Sequence, residues 1–227
     1  MSIIAVDFDG TLYQHNSVTS MLKGGRKIFT SRQQWSIVLD FLKGSVKKMV
    51  GDKEDLRIVL LRSFFRQMKG KTADEMHAFF KSVIDSSRES VNYNLVSRLT
   101  KHLQIGDRVV IISGALQPLL EVFVQQLNIR ADAIGTELLY DKEGIFTGEI
   151  GKNNHGEDKV IKLKLWIKEN NADNETIWAY ADSESDIPLL EFSHKAIVVQ
   201  PSVNMRKLAQ SKGWEIFNNE GNINKSA

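Results

Sequence analysis

The hydrophobic and polar positions of this chain follow two rhythms. Four short apolar runs, Ile3–Val6, Val109–Ile112, Thr176–Tyr180 and Ala196–Val199, are rich in β-branched residues and bounded by Gly, Asp or Ser. Unbroken apolar runs of that length suit parallel strands covered on both faces. Between them the period lengthens. Leu119, Leu120, Phe123 and Leu127 recur at helical spacing over Leu116–Leu127, after a Ser113-Gly114 turn, and Val160, Leu163 and Ile167 do so over Lys159–Lys168. Strand, turn, helix, strand is the order of an α/β fold with a doubly wound parallel sheet.

One segment departs from that order. From about Gln14 to about Asn94 no core strand is legible, but helical patterns recur over Trp35–Met49, Leu56–Met68 and Ala73–Ile84. A helical cap over 14–94 is therefore expected, inserted into an α/β core made of 1–13 and 95–227. Two strand-like runs within Ile134–Ile150 flank Asp141–Gly144 and read as a hairpin off the main sheet. The polar, Asn-rich tail Asn218–Ala227 is expected to fray. The stretch Arg32–Lys48, "RQQWSIVLDFLKGSVKK", carries Trp, Ile, Leu and Phe on one side and Lys and Arg on the other. The reading preferred is a cap helix packed on its neighbours with its charged face solvated; a membrane-surface helix is the alternative.

Composition narrows the function classes. The 227 residues can bury one core and carry an insertion, and 30 Lys and Arg against 28 Asp and Glu give no electrostatic case for a nucleic-acid partner. With no cysteine there are no disulfides, thiolate metal sites or cysteine nucleophiles. The first residues lack the pattern of a signal peptide, and no apolar run approaches the length of a membrane span. A soluble cytoplasmic protein without stable membrane association, acting on a small substrate, is the expectation.

Ligand sites in such sheets lie at the carboxyl ends of the strands. There the sequence places Asp7, Asp9 and Thr11, then Ser113 and Gly114, then Asp182, Ser183 and Asp186. Asp7 and Asp9, two apart in "VDFDGTL", can both leave on one side while Gly10 turns the chain away. Ionising both is unfavourable unless a cation sits between them, whether a metal, a lysine or both. With Asp182 they make an oxygen-only set that suits Mg²⁺. Lys159 starts a predicted helix, where the macrodipole disfavours a cation unless an anion compensates it; Lys152 and Lys162 are rivals for that role. Each clue alone is also what a turn or a helix cap would look like, and "DSESD" could simply cap a helix starting near Ile187-Pro188. The conjunction at strand ends is what points to chemistry.

These residues resemble the haloacid dehalogenase superfamily, in its phosphoserine phosphatase-like branch. The first motif is Asp7-Phe8-Asp9-Gly10-Thr11-Leu12, the second the strand ending in Ser113-Gly114, the third Asn154-His155-Gly156-Glu157-Asp158-Lys159, and the fourth Ala181-Asp182-Ser183-Glu184-Ser185-Asp186. The resemblance implies a Mg²⁺-dependent phosphomonoester hydrolase of a small phosphorylated metabolite, working through an aspartyl-phosphate. It implies Asp7 as nucleophile and Asp9 as general acid and base. Asp7 and Asp182, with the backbone carbonyl of Asp9, would hold the metal. Ser113 and Lys159 would serve the phosphoryl group, Thr11, Gly114 and Asn16 the substrate, and Asp186 would orient Lys159 or a metal-bound water. Two residues depart from the branch: Asn16 stands where phosphoserine phosphatases carry a glutamate that reads the substrate ammonium, and Ser185 where many relatives carry asparagine. A cap arginine for a substrate carboxylate could be Arg57 or Arg62. A receiver-type phospho-aspartate module would need neither Asp9 nor so large an insertion, and a non-enzymatic binding protein would be expected to have lost a nucleophile or metal carboxylate.

Overall fold

The computed structural model describes residues 1–49, 56–218 and 223–224. After β1 (Ser2–Val6) come four helices, α1 (Ser17–Ile28), α2 (Ser31–Met49), α3 (Leu56–Arg66) and α4 (Ala73–Asp85), then α5 (Tyr93–Gln104). There follow β2 (Arg108–Leu116), α6 (Gln117–Gln126), β3 (Ala131–Thr136), the short strands β4 (Leu138–Tyr140) and β5 (Phe146–Ile150), and α7 (Glu157–Glu169). The chain closes with β6 (Thr176–Ala181), α8 (Ile187–Phe192), β7 (Lys195–Val199), α9 (Val203–Lys212), β8 (Glu215–Phe217) and β9 (Ile223–Asn224).

The main sheet has the order β3-β2-β1-β6-β7-β8, all parallel, with β9 antiparallel at the outer edge. Successive residues of its strands enter opposite cores, which explains the unbroken apolar runs. Ile4, Val6, Val109, Ile111, Tyr180 and Ile197 pack on one face, and Ile3, Ala5, Val110, Ile112, Ala179 and Val198 on the other. On the second face Leu163, Leu189 and Met205 bring in α7, α8 and α9. On the first, Leu99 and Phe123 bring in α5 and α6, and the same apolar cluster runs on into Phe64, Phe65 and Phe80 of α3 and α4.

The register sets the site. Val6 pairs with Ile111 on one side and with Tyr180 on the other, so the residues that follow β1 and β6, and the late part of β2, emerge at one edge.

Three expectations need correction. Ile134–Thr136 is not part of the off-sheet hairpin. It belongs to β3, paired with β2 through Ile112 and Ile134. As an edge strand it lacks a β-branched run, since "ADAIGT" carries Asp132, which accepts a hydrogen bond from the Trp166 indole at 2.9 Å. The hairpin is β4 and β5, which form their own two-stranded sheet, and Phe146 is tied to the α3–α4 connection by exchanging backbone bonds with Lys71 and Gly70. Second, Ser113-Gly114 is not a turn: β2 runs on to Leu116 through an irregular register. Third, the four apolar runs do not account for the whole sheet: Glu215–Phe217 adds a strand too short to show a period. Most of the predicted frayed tail lies outside the described residues.

Candidate active site

Asp7, Asp182 and Asp186 each offer a carboxylate oxygen, all within 4.8 Å of one another. Three elements bring them together: Asp7 follows β1, Asp182 follows β6, and Asp186 precedes α8. Gly10 makes the approach possible. Its φ is +84°, and a Cβ there would lie 2.2 Å from the Asp182 Oδ2. A side chain at position 10 would collide with the carboxylate as well as strain the backbone.

Lys159 is the cation at the centre. Its Nζ donates to Asp7 Oδ1 at 2.6 Å and also to Asp186 Oδ1. Asp7, Lys159 and Asp186 are 4%, 3% and 1% exposed. The rival lysines go elsewhere, Lys152 to Asp158 at the surface and Lys162 to the Gly135 carbonyl. Thus the anion that a lysine at a helix N-terminus demands is a pair of carboxylates. Asp186 is the N-cap residue of α8, yet its side chain makes no capping bond. Its Oδ2 accepts instead from the hydroxyls of Ser183 and Ser185, at 2.8 and 3.2 Å, which leaves Oδ1 for Lys159. The "DSESD" stretch is built around Lys159 rather than around the helix start.

Burial, with the charges of Asp186 and Asp182, pushes Asp7 up to about 8 against the pull of Lys159. Asp182 rises to about 6, through burial and Asp186, although the Thr11 hydroxyl donates to its Oδ1 at 3.0 Å. Burial pulls Lys159 down, but Asp7 and Asp186 outweigh it and hold the ammonium protonated. Three carboxylates, Asp7 and Asp186 buried and Asp182 half-buried, face one lysine and are short of positive charge, and a hard divalent cation fits such an oxygen set.

The other sequence candidates fall around the same cavity, about 480 Å³, which Asp9, Asn16, Ser113 and Gly114 line with the cluster. The Asp9 carboxylate stands outside the cluster and accepts from Ser17 N at 2.7 Å and from the Ser17 hydroxyl at 2.8 Å. Asn16 is the N-cap of α1, its Oδ1 accepting from Val18 N at 2.9 Å. Ser113 is buried, with its Oγ accepting from Ala115 N at 3.2 Å. Thr11 is buried beneath Asp182 rather than lining the cavity. Arg62 lines a separate groove with Arg66 and Lys69, and the Arg57 side chain lies outside the described residues.

Sequence reasoning missed several supports. Ser17 anchors Asp9, and the helix-start string Asn16-Ser17 could have signalled it. Asn154 is fully buried and donates to the carbonyls of Ser113 and Ile134, tying the loop before α7 to two strand ends. Ile58 and Leu61 of α3 and Val18 of α1 add apolar side chains to the lining of the cavity. No local pattern announces them.

Residues 4–191 match the model of the haloacid dehalogenase-like hydrolases. A phosphoserine phosphatase of Mycobacterium tuberculosis (strain ATCC 25618 / H37Rv), SerB1, is 28% identical over 216 residues, covering 92% of this chain and 68% of that protein. A Bordetella pertussis Tohama I protein of unknown function superposes with a TM-score of 0.78 at 21% identity, over 95% of this chain and 97% of that one. A probable phosphoserine phosphatase from Vibrio cholerae does so at 0.63 and 15%, over 91% of this chain and 58% of that one. Both structures share the fold. Since the family model spans most of the sequence and the relatives include phosphatases over nearly its whole length, the chain belongs to the haloacid dehalogenase-like hydrolases, on the branch that resembles phosphoserine phosphatase, and is a phosphatase.

Proposed function

We propose that the protein hydrolyses a small phosphorylated metabolite through an aspartyl-phosphate on Asp7, in a Mg²⁺-dependent reaction in the cytoplasm. The observation that carries the reading is Lys159 bridging Asp7 and Asp186 beside Asp182 at the carboxyl edge of the sheet. No helix of the described residues is long and apolar enough to cross a membrane.

In this reading an oxygen of Asp7 attacks phosphorus and the P–O bond to the leaving group breaks. Asp9 gives its proton to the departing alkoxide, then takes one from water as that water attacks phosphorus, releasing inorganic phosphate and the free Asp7 carboxylate. The Ser113 hydroxyl donates to a phosphoryl oxygen, and Lys159, oriented by Asp186, balances the charge gathered on Asp7 and the phosphoryl group. Asp7, Asp182 and the Asp9 carbonyl would hold Mg²⁺, which when bound supplies the charge that neutralises and aligns the phosphoryl oxygens. Segment 14–94 acts as the cap: α1 and α3 contribute Val18, Ile58 and Leu61 to the cavity wall, so water is excluded on the side where substrates differ.

A substrate screen tests the reading. Phosphate release from a panel of phosphorylated metabolites should appear with Mg²⁺ and fall at least about a hundredfold with a chelator. Full turnover by metal-free protein would overturn the metal dependence. A second test needs no substrate. The folded pKa values of Asp7 and Asp182 lie above the ordinary value of 3.8, so the metal-free fold is favoured at low pH and loses that contribution as pH rises through about 6 and then about 8. Mg²⁺ competes with those protons. Its stabilisation, read as a shift in melting temperature, should therefore grow from pH 6 to pH 8; a shift that is the same at both would count against binding at these carboxylates.

Asn16 bears on substrate choice. Its Oδ1 is committed to capping α1, so the group it can turn to the cavity is the Nδ2 donor. A donor suits a hydroxyl or an anion and gives an ammonium no partner. A lost charge-assisted bond of about 1.5–3 kcal/mol corresponds to roughly ten- to a hundredfold. Phosphoserine is thus expected to trail uncharged or anionic phosphomonoesters in kcat/KM, and Asn16→Glu to narrow the gap. If phosphoserine leads the panel by a wide margin, another residue reads its ammonium.

A further inference from the structure

Helix α2 carries a second apolar face that nothing in the described fold covers. Trp35, Val38, Leu39, Leu42 and Val46 recur at intervals of one, three and four residues, and all are between 44% and 67% exposed. Over Trp35–Val46 the stripe is about 16 Å long at 1.5 Å per residue. The opposite side does the packing. Ile37 is buried, a Cβ on Gly44 would sit 2.8 Å from Val59 of α3, and Asp40 accepts from the Ser63 hydroxyl at 2.8 Å and lies 3.6 Å from Arg66. The sequence reading expected the apolar positions of this helix to face its neighbours and the charged ones to face water. Instead Trp35, Leu39, Leu42 and two valines, Val38 and Val46, face outward.

The charge around the stripe is one-sided. Residues 23–48 carry seven Lys and Arg and a single acid, Asp40, a net of +6 in a chain whose total is +2, which leaves the remainder at −4. Asp40 is engaged with α3, and the described cations Lys23, Arg26, Lys27, Arg32 and Lys43 are all exposed. Arg32 and Lys43, eleven residues apart, fall along one border of the stripe. Lys23, Arg26 and Lys27 are exposed on the last turns of α1, which Gln34 fastens to α2 by donating to the carbonyls of Arg26 and Phe29. A second copy docking face to face would oppose two +6 segments. A single convex helix face with an indole at one end and flexible cations at its border matches a flat, deformable, anionic surface.

We propose that α2 docks the protein on an anionic lipid bilayer, lying in the plane of the interface. Trp35 and the aliphatic stripe enter the boundary between headgroups and acyl chains, and Arg32, Lys43 and the end of α1 meet lipid phosphates. Apolar burial and charge act together here, since each Lys or Arg near an anionic leaflet adds a several-fold increase in partitioning. The docking is independent of the chemistry at Asp7, and its failure would leave that chemistry untouched.

Vesicle co-sedimentation of the full chain tests it, with phosphatidylcholine vesicles beside vesicles containing about a third phosphatidylglycerol. Binding should be at least about tenfold stronger to the anionic vesicles, fall on raising salt to about 0.5 M, and shift the tryptophan emission to the blue. The double variant Leu39→Ser, Leu42→Ser, altered at exposed positions, should lose the binding and keep phosphate release from a soluble substrate. Arg32→Glu with Lys43→Glu should lose it as well. Equal binding to both vesicle types, or none to either, overturns the proposal. So does a dimer in solution that the Leu39→Ser, Leu42→Ser change dissociates, which would assign the stripe to a second copy, or retention only by a protein partner.

Discussion

Asp7→Asn is expected to lower kcat/KM for every phosphomonoester by at least about four orders of magnitude while leaving the fold intact. The carboxylate sits at the end of β1, 2.6 Å from Lys159 and within 4.8 Å of Asp182 and Asp186, so no other described residue occupies its place in the cluster. The amide keeps the shape and removes the nucleophilic oxygen. It also removes a buried charge that burial already disfavours, so the metal-free protein should not melt earlier than the parent at pH 8. Steady-state phosphate release and thermal melts on one preparation check both halves. Near-parental turnover by a folded Asp7→Asn protein would end the covalent reading, and a melt lowered by many degrees would mean that Asp7 is chiefly structural.

What the sequence made legible and what it did not divide along a physical line. The central strands were readable because they are buried on both faces and so carry no polar interruption: Ile3–Val6, Val109–Ile112, Thr176–Tyr180 and Ala196–Val199 all lie within sheet strands. Edge strands obey no such rule. β3 tolerates Asp132 because one side of it is partnered by β2 alone, and β8 is three residues long, shorter than any period can reveal. Parallel strands in register also explain why strand-end residues could be grouped before their distances were known: Asp7 and Asp182 follow strands that pair residue for residue through Val6 and Tyr180.

The supports of the site were illegible for a different reason. Ser17 and Asn154 act through contacts whose partners lie 8 and 41 residues away, and a Ser or Asn at a helix start or in a loop looks alike whether it holds a catalytic carboxylate or water. Lys159 was legible because a lysine at a helix start violates the dipole preference, and a violated local preference marks a site that something distant must satisfy. The exposed stripe of α2 was read as packing because an amphipathic pattern reports that an apolar face exists, not what covers it.

Lys159→Met should be the most damaging single change to stability. The methionine fills most of the volume but leaves Asp7 and Asp186 facing each other without their cation, in a place where both are almost fully buried. Removing one partner of a buried charge pair typically costs about 3–5 kcal/mol, because the remaining charge has no water to return to. Here two carboxylates are stranded, and they can escape only by taking up protons. With the lysine gone the folded pKa of Asp7, already above the ordinary carboxylate value, should rise further, so the folded form is favoured while it is protonated and loses stability as pH rises. The defect should therefore be modest near pH 5 and largest near pH 8. Asp7→Asn added to Lys159→Met should recover part of it, since a single stranded carboxylate remains, and the two changes should be strongly non-additive. Denaturant unfolding of the parent, both single variants and the double at pH 5 and pH 8 gives the full cycle. A Lys159→Met protein that loses less than about 1 kcal/mol at pH 8, or whose defect does not depend on pH, would show that the carboxylates are balanced by something other than this lysine.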